Sequence, residues 1–377
     1  MTLSNKSSPS GRILPCDGGN SMPSGSRPVD SESLSTPSVV TATWKMNTLC
    51  NFRCPYCFLP LSHRVHPRKT GNFRAVEDVQ KIIRAFDATG YRFLICMTGG
   101  EPLLYPGVVE LCCGLTQRHR IELNTNLTTK NVLAFAEAID PGRVEGVRCS
   151  LHVVERERLG LTTDLVEKVK YLRARGFNVY VTEVLWPPML DRLNIIADSL
   201  LLHDIVVWPV LFRGTYRGRV YPASYNSRER ALIEAYIKKI ERFDSSRLLA
   251  GYAESDLGRT FIGGLVSFKG RCCRAGLRSV YIDPEGEVWR CPDDRVHLGN
   301  IFHGTFSLLT KATPCRADVC GCPWIGFVDA LGPPNILTAQ NMGAGVRLKL
   351  GFKAGIKKLI DTRIGDRILS PLLHRFR

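Results

Sequence analysis

The most informative stretch of this chain is Cys50-Asn51-Phe52-Arg53-Cys54-Pro55-Tyr56-Cys57, which places three thiols close together. Iron–sulfur clusters are held by cysteine sulfur. Three close thiolates can hold three irons of a cubane [4Fe–4S] cluster and leave the fourth iron open to bind a substrate or cofactor. The odd number of thiols therefore predicts a reactive cluster rather than a storage site. A structural zinc site usually takes four ligands in paired knuckles. No fourth ligand follows at matching spacing, although His63 and His66 are candidates.

A second motif lies downstream of these cysteines. Thr98-Gly99-Gly100-Glu101-Pro102 follows the apolar run Phe93-Leu94-Ile95-Cys96-Met97. An apolar run that ends in turn residues predicts a buried strand leading into a loop. The glycines of that loop allow the backbone to approach a ligand closely. Alone, the motif would also suit an ordinary strand-to-helix turn.

Together the two motifs, Cys-x3-Cys-x-aromatic-Cys and Gly-Gly-Glu-Pro, resemble those of the radical SAM superfamily. In that family S-adenosylmethionine chelates the open iron through its amino and carboxylate groups. An electron from the cluster then cleaves it to methionine and a 5′-deoxyadenosyl radical, which abstracts hydrogen from the substrate. The protein supplies orientation and excludes water. The resemblance implies the cluster ligands Cys50, Cys54 and Cys57, with Tyr56 at the adenine and Gly99, Gly100, Glu101 and Pro102 at the amino group.

Residues 39–225 alternate between predicted strands and helices. The predicted strands are Val39–Met46, Phe93–Met97, Arg120–Thr125, Gly146–Leu151, Asn178–Leu185 and Ile205–Phe212. The predicted helices are Val76–Ala88, Val108–Gln117, Asn131–Ala138, Asp164–Ala174 and Leu190–Leu202. This alternation indicates an α/β protein with a parallel sheet, which right-handed crossovers would curl. The resemblance implies a partial (β/α)6 TIM-like barrel, open on one side for substrate.

Function in such a barrel sits at the carboxyl ends of the strands. The residues expected there are Asn124, Asn126, Ser150, His152 and Glu183. The resemblance implies that residues at the ends of the third to fifth strands touch the ribose and carboxylate of S-adenosylmethionine, and Ser150 and Asn126 are the candidates. Each could equally cap a helix or close a turn.

A cysteine-rich segment follows the barrel. Cys273-x12-Gly286-x4-Cys291 resembles the twitch and SPASM extensions of radical SAM enzymes, which hold auxiliary iron–sulfur clusters. Between these cysteines, Arg278–Asp283 and Glu287–Arg290 flank a Pro-Glu-Gly turn. That pattern predicts a hairpin that brings the two thiols together.

The later part of this segment departs from the family pattern. Only Cys315, Cys320 and Cys322 remain, and even with Cys272 the thiols are too few for two fully ligated cubanes. We therefore expect one auxiliary [4Fe–4S] cluster, with Cys273 and Cys291 as ligands and two more from the remaining three. Four cysteines would suit zinc equally well. A disulfide framework is not expected in a reducing compartment.

The amino-terminal segment 1–38 is rich in Ser, Pro and Gly and poor in aromatic residues, so it cannot bury enough apolar surface to fold alone. We expect a disordered tail that contains Cys16. It lacks the apolar centre of a secretory signal, and the chain holds no apolar run long enough to span a membrane. An oxygen-sensitive cluster enzyme of this kind is expected in the cytoplasm.

The other terminal segment, 336–377, contributes strongly to the formal net charge of +16, with nine Lys and Arg against two acids. Apolar residues recur there at every fourth position, at Ile356, Ile360, Ile364, Ile368, Leu372 and Phe376. This pattern predicts a basic amphipathic helix that could pack on its own domain, lie on an anionic membrane or bind an acidic partner. Nucleic-acid binding is not expected, because no recognition module accompanies the charge.

The expected organisation is a core barrel over 39–225 and a helix with a twitch/SPASM-like domain over 226–335. The favoured function is a radical SAM oxidoreductase or maturase that acts on a small molecule or a peptide side chain, with a flavodoxin- or ferredoxin-type electron donor. The alternative is a non-catalytic iron–sulfur or zinc protein. Arg217 and Arg219, after the sixth strand, could meet a carboxylate or phosphate of the substrate or be solvated.

Overall fold

A computed structural model describes residues 39–57, 79–240, 242–243, 264–321, 330, 334–338, 340–343 and 346. Their main feature is a nine-stranded sheet in the order β13-β12-β11-β1-β2-β3-β4-β5-β6. Its first six strands are β1 Val40–Asn47, β2 Phe93–Gly99, β3 Arg120–Thr125, β4 Val144–Ser150, β5 Val179–Leu185 and β6 Val207–Leu211. These six run parallel, which confirms the predicted α/β class.

Helices connect these strands and cover one face of the sheet. They are α1 Val79–Ala88, α2 Val108–Arg118, α3 Asn131–Ala138, α4 Val153–Leu159, α5 Thr162–Ala174, α6 Leu193–Leu201 and α7 Ser227–Ile240. The prediction missed α4, which is short and highly charged. The predicted helix Leu190–Leu202 is instead a 3-10 turn, Pro187–Arg192, that leads into α6. Two prolines begin that turn, where their fixed backbone angle and missing N–H cost least.

Burial alternates along the first three strands, β1 to β3. In β1 every second residue from Val40 to Trp44 is fully buried, and the residues between them are half-buried. In β3, Glu122 and Asn124 are half-buried in the same way. A parallel sheet covered on both faces reads as continuous apolar strands. The alternation therefore indicates a sheet with one helix-covered face and one more open, polar face, as expected for a partial barrel.

Three strands of the cysteine-rich segment extend the same sheet: β11 Ser279–Ile282, β12 Glu287–Trp289 and β13 His297–Asn300. β11 pairs in parallel with β1, and β12 turns back antiparallel to β11 as the hairpin pattern predicts. Ile282 and Val288 are fully buried in the same core as the barrel strands. The sheet therefore crosses the expected boundary at residue 225, and the division into domains stays a prediction.

Three small two-stranded sheets complete the described structure. They pair β7 Gly214–Tyr216 with β8 Arg219–Tyr221, β9 Leu265–Ser267 with β15 Asn335–Leu337, and β10 Cys272–Cys273 with β14 Thr313–Pro314. Arg217 lies at the turn of the first pair with a positive φ of 48°, and its guanidinium lies over the Tyr216 ring. The predictions for 1–38, 347–377, His63, His66 and Cys322 lie outside the described residues. No described helix is long and apolar enough to cross a membrane.

Candidate functional site

The cysteine loop, residues 50–57, follows the carboxyl end of β1. Cys54 is 5% exposed, and Cys50 and Cys57 are half-buried. The Cys57 N–H donates to the Cys54 carbonyl at 3.1 Å, and the Phe52 N–H donates to Cys50 Sγ at 3.4 Å. Burial raises the pKa of Cys54, and the neighbouring Cys57 and Cys50 raise it further. The Cys50 and Cys57 sulfurs therefore lie near the Cys54 thiol.

The glycine pair of the second motif lies directly against this loop. A Cβ on Gly99 would lie 2.4 Å from the Asn47 carbonyl oxygen, and one on Gly100 would lie 1.9 Å from the Leu49 carbonyl oxygen. The Gly100 N–H donates to Asn47 O at 3.0 Å, and the Glu101 N–H donates to Leu49 O at 2.6 Å. The sequence predicted that these glycines bring the backbone close to a ligand. In the structure the group they approach is the main chain that leads into Cys50.

The Glu101 carboxylate is 1% exposed and already accepts three hydrogen bonds. Oε1 accepts from the Leu103 N–H at 3.0 Å and the Thr125 hydroxyl at 2.6 Å, and Oε2 accepts from the Asn126 N–H at 2.7 Å. Burial raises the pKa of Glu101, and these hydrogen bonds oppose that effect. The carboxylate thus joins the end of β2 to the end of β3. Pro102 begins the buried 3-10 turn that follows.

Three contacts attach the cysteine loop to the barrel, and each uses a residue between two cysteines. Asn51 accepts from the Asn126 amide at 2.9 Å and donates to the Thr128 hydroxyl at 2.7 Å. The Arg53 N–H donates to Glu155 Oε2 at 3.0 Å. The third contact is made by Tyr56. The loop is therefore held from the end of β3, from α4 and from the end of β5, which fixes the direction of its thiols.

Tyr56 is 8% exposed, and its hydroxyl donates to Glu183 Oε1 at 3.0 Å and lies 3.1 Å from His152 Nδ1. Its ring also packs on Trp186, with centroids 5.7 Å apart. Burial raises the pKa of Glu183 to about 7, although hydrogen bonds from Val153 and Tyr56 oppose this. Burial and then Arg156 lower the pKa of His152 to about 4, so this imidazole is neutral near pH 7.

Arg156 is a central residue that the sequence did not indicate. It is fully buried and donates to the carbonyls of Leu151 at 2.7 Å, Leu161 at 3.4 Å and Asn126. Its guanidinium lies 5.6 Å from the centroid of the Phe52 ring in the cysteine loop. In a charged helix such as Val153–Leu159, an arginine would ordinarily be read as a surface residue. Only the fold shows that it ties three loops together.

The remaining predicted residues at the mouth contact one another. The Ser150 hydroxyl donates to Asn124 Oδ1 at 3.2 Å, and both residues are half-buried on the open face of the sheet. Asn126 is 3% exposed, and its Oδ1 accepts from the Thr128 N–H at 3.0 Å. Asn126 thus also closes the turn after β3, while Ser150 presents its hydroxyl toward the interior of the barrel.

At the other cysteine-rich site, the structure brings together three of the predicted ligands. Cys273, Cys291 and Cys315 pack in one small cluster with Ala275 and Ala330. Burial raises the pKa of Cys291 to about 12, and Cys315 is among the nearby groups that raise it.

Two other cysteines of this segment have separate environments. Cys320 packs with Cys315 around Val266 and Phe268. Cys272 is disulfide-bonded, so it is not available as a ligand in this state.

The described residues contain no group of three His, Cys, Asp or Glu side chains arranged to hold a single metal ion. A cubane needs a different arrangement, because each of its thiolates binds a different iron. At both sites the available donors are cysteine sulfurs, the ligand type that such clusters take. The donor chemistry therefore fits an iron–sulfur cluster in both places.

Comparison with known proteins agrees with this geometry. Residues 44–193 match the model of the radical SAM superfamily. The GTP 3′,8-cyclase of Pseudomonas fluorescens (strain Pf0-1) is 32% identical over 137 residues, which are 34% of this chain and 40% of that protein. The antilisterial bacteriocin subtilosin biosynthesis protein AlbA of Bacillus subtilis (strain 168) is 23% identical over 286 residues, 72% of this chain and 59% of that protein.

A solved structure of native anSMEcpe with bound AdoMet has a TM-score of 0.49 and 17% identity, covering 72% of this chain and 82% of that chain. The chain spans 40% and 59% of the lengths of the two curated relatives. Both the cysteine loop and the Gly-Gly-Glu-Pro motif lie inside the matched residues 44–193. Residues 44–193, which contain both motifs, are therefore similar to the radical SAM superfamily.

Proposed function

We propose that this chain is a radical SAM enzyme that reductively cleaves S-adenosylmethionine and abstracts a hydrogen atom from its substrate. One observation carries the proposal. The cysteine loop after β1 is fixed against Gly99-Gly100-Glu101 after β2 by main-chain hydrogen bonds and by glycines that leave no room for a side chain. A structural iron or zinc site would not require the second motif to pack against the first so closely.

The proposed ligands of the catalytic [4Fe–4S] cluster are Cys50, Cys54 and Cys57. The proposed contacts of S-adenosylmethionine are Tyr56, Gly99, Gly100, Glu101, Pro102, Asn126 and Ser150. When bound, the cluster and S-adenosylmethionine supply the electron and the 5′-deoxyadenosyl radical. The contribution of the chain is to hold the loop rigidly and to shield the site, because a water-free pocket prevents side reactions of a radical.

Glu101 helps to hold the cysteine loop in place mainly by joining the ends of β2 and β3. Its Oε2 accepts one hydrogen bond among the described residues, from Asn126, and a carboxylate oxygen has lone pairs for a second donor. An ammonium group at that position would also be attracted by the negative charge. The proposed contact with the amino group of S-adenosylmethionine is therefore compatible with the structural role of this carboxylate.

The substrate is proposed to be a small molecule or a peptide side chain that reaches the site from the open face of the sheet. A peptide is favoured, because the relative that aligns beyond the radical SAM region, over 72% of this chain, is a bacteriocin biosynthesis protein. The half-buried polar residues of that face, Asn124 and Ser150 among them, would contact it. A flavodoxin- or ferredoxin-type donor and a cytoplasmic location complete the proposal, since the cluster needs reduction.

For the auxiliary site we propose Cys273, Cys291 and Cys315 as ligands, because these three pack together. The fourth ligand would come from Cys320, which packs beside Cys315, or from Cys322. The alternative is a zinc site built from the same cysteines. Elemental analysis of anaerobically purified protein separates the two, since the cluster predicts about four irons at this site and zinc predicts none.

The catalytic proposal is tested by replacing Cys50, Cys54 and Cys57 together with alanine. The triple variant should lose about four irons per chain, since each thiolate is a cluster ligand, and all formation of 5′-deoxyadenosine. The measurement is chromatography of anaerobic, reduced reactions with S-adenosylmethionine.

A matched control replaces Cys96 and Cys113, which are half-buried cysteines in β2 and α2. This control should keep its iron and form 5′-deoxyadenosine normally. Cleavage by the triple variant at the rate of the parent would exclude the radical mechanism and favour the non-catalytic alternative.

A further inference from the structure

Arg290, which directly precedes Cys291, is a buried side chain of the cysteine-rich segment with an unusually complete set of hydrogen bonds. It is 1% exposed, and all five N–H donors of its guanidinium have an acceptor. The acceptors are Ala275 O at 3.0 Å, Cys273 O at 3.1 Å, Thr313 O at 2.6 Å, Pro314 O at 3.1 Å and Asp294 Oδ2 at 2.5 Å. Buried polar groups need partners. Complete pairing of one guanidinium requires that several main-chain carbonyls from different segments all point toward it.

These acceptors share one property: each belongs to a proposed ligand or to a residue within three positions of one. The Cys273 carbonyl belongs to the first ligand itself. Thr313 and Pro314 immediately precede Cys315, and Arg290 precedes Cys291. One guanidinium therefore holds the main chain of all three segments at fixed distances, independently of any bond through sulfur.

Asp294 completes this arrangement from the other side. Its side chain is 3% exposed and pairs with Arg290, and it also accepts from the Arg316 N–H at 3.1 Å, just after Cys315. Its own N–H donates to Cys291 Sγ at 3.1 Å. Hydrogen bonds to ligating sulfur tune the reduction potential of an iron–sulfur cluster, so this N–H would act on the cluster directly.

We propose that Arg290 and Asp294 are positioning residues that hold Cys273, Cys291 and Cys315 in a ligating arrangement before any metal binds. This inference rests on the proposed auxiliary site. Lysine could not replace Arg290, because an ammonium is a point charge with three donors and lacks the planar fork that reaches acceptors on several segments. The site is therefore expected to be preformed in the metal-free chain.

The test uses the full chain with Cys50, Cys54 and Cys57 replaced by alanine, so that all remaining iron belongs to the auxiliary site. Arg290→Lys and Asp294→Asn are compared with this parent, and Arg148→Met is the control. Arg148 also forms a largely buried ion pair, with Glu122 at 3.2 Å, but it lies in β4. Loss of this ion pair should lower the stability of the fold and leave the iron content of the auxiliary site unchanged.

Two quantities are measured on the reconstituted proteins: iron retained against a chelator, and the reduction potential of the auxiliary cluster. Arg290→Lys should hold iron about 10- to 100-fold more weakly, the usual effect of removing a residue that supports metal ligands. Asp294→Asn removes the carboxylate charge that pairs with Arg290 beside Cys291 and should therefore shift the potential, while Arg148→Met should match the parent in both. Equal retention and potential in all four proteins would overturn the proposal.

A second measurement does not depend on iron. The metal-free proteins are titrated with Cd2+ and followed by thiolate-to-metal charge-transfer absorption. If the parent holds no iron but binds Cd2+ at least about tenfold more tightly than Arg290→Lys does, the auxiliary cluster is wrong and the positioning role stands. If Cd2+ binding is the same in both, the positioning role is overturned, whatever the iron content.

Discussion

At the scale of single residues, the proposed catalytic site is built around buried carboxylates. Glu101 is almost completely buried and satisfies three donors from two strand ends. Glu183 receives the Tyr56 hydroxyl and the Val153 N–H. A buried charge is costly unless it is paired or well hydrogen-bonded. Burial raises the pKa of both carboxyls, and Arg156, fully buried beside them, opposes that effect, so its positive charge partly offsets the cost of burying the two carboxylates.

Replacing Glu101 with glutamine gives the first prediction at this scale. The amide would present N–H groups to donors such as the Asn126 N–H, and the charge would be lost. Hydrogen bonds to charged groups are worth about 1.5–3 kcal/mol, so the free energy of unfolding of the metal-free protein should fall by about that amount. Urea unfolding measures it, and S-adenosylmethionine affinity of the reconstituted enzyme should fall as well.

The control is Glu145→Gln, which removes an exposed ion pair with Arg120 and should change stability by less than about 1 kcal/mol. If Glu101→Gln weakened only S-adenosylmethionine binding and left unfolding unchanged, the carboxylate would be a ligand contact without the structural role described above.

The cysteine loop is the decisive element, because the barrel holds it at several points. Its contacts come from the ends of β3 and β5 and from α4, and the glycine pair supports its beginning. A loop without secondary structure would normally be mobile, since few contacts limit its opening. Here Asn51, Arg53 and Tyr56 replace the missing regular hydrogen bonds. The loop is therefore expected to keep its shape when the metal is absent.

A double-mutant cycle on Tyr56 and Glu183 tests whether their hydrogen bond holds the cysteine loop in place. Tyr56→Phe and Glu183→Gln each weaken one end of the same hydrogen bond, so each should speed the loss of cluster iron to a chelator by about tenfold. The double variant should be scarcely worse than either single variant, because residues in direct contact are non-additive. The rate of bleaching under anaerobic conditions is the measurement.

Tyr171→Phe is the matched control, because the Tyr171 hydroxyl donates to an exposed carboxylate, that of Glu137, at 3.3 Å. It should retain iron like the parent. A double variant whose effect equals the sum of the two single effects would show that Tyr56 and Glu183 act separately.

The whole molecule is organised by the continuous sheet. β11 pairs with β1 over four residues from Ser279 to Ile282, and Trp44 of β1 packs on Phe302 at 6.1 Å between ring centroids. Ile282 and Val147 of β4 belong to the same buried cluster. Residues that share one core normally unfold together, so the described parts of the barrel and of the cysteine-rich segment should be one cooperative unit.

Ile282→Ala tests this cooperativity. It removes a fully buried side chain, and such truncations cost about 2–5 kcal/mol. If the two regions unfold together, amide hydrogen exchange at Val147 should speed up by the corresponding factor, although Val147 lies across the sheet. Unchanged protection at Val147 alongside faster exchange at Val280 would indicate two independent domains.

Much of this protein could be predicted from local patterns in its sequence. Apolar runs located all six barrel strands, and helical spacing located α1 between the first two. Both patterns depend only on neighbours within a few residues along the chain. The turn residues around Gly286 predicted the β11–β12 hairpin for the same reason. The spacing of Cys50, Cys54 and Cys57 and the Gly-Gly-Glu-Pro motif indicated the superfamily.

Tertiary structure alone decided which distant groups meet. It paired β11 with β1, placed Gly100 against the Leu49 carbonyl, and directed Arg156 and Arg290 inward to main-chain carbonyls. A side-chain type specifies how many hydrogen bonds it can make, but not which carbonyls of remote loops will receive them. Those partners are fixed only when the sheet closes and burial makes every unpaired polar group costly.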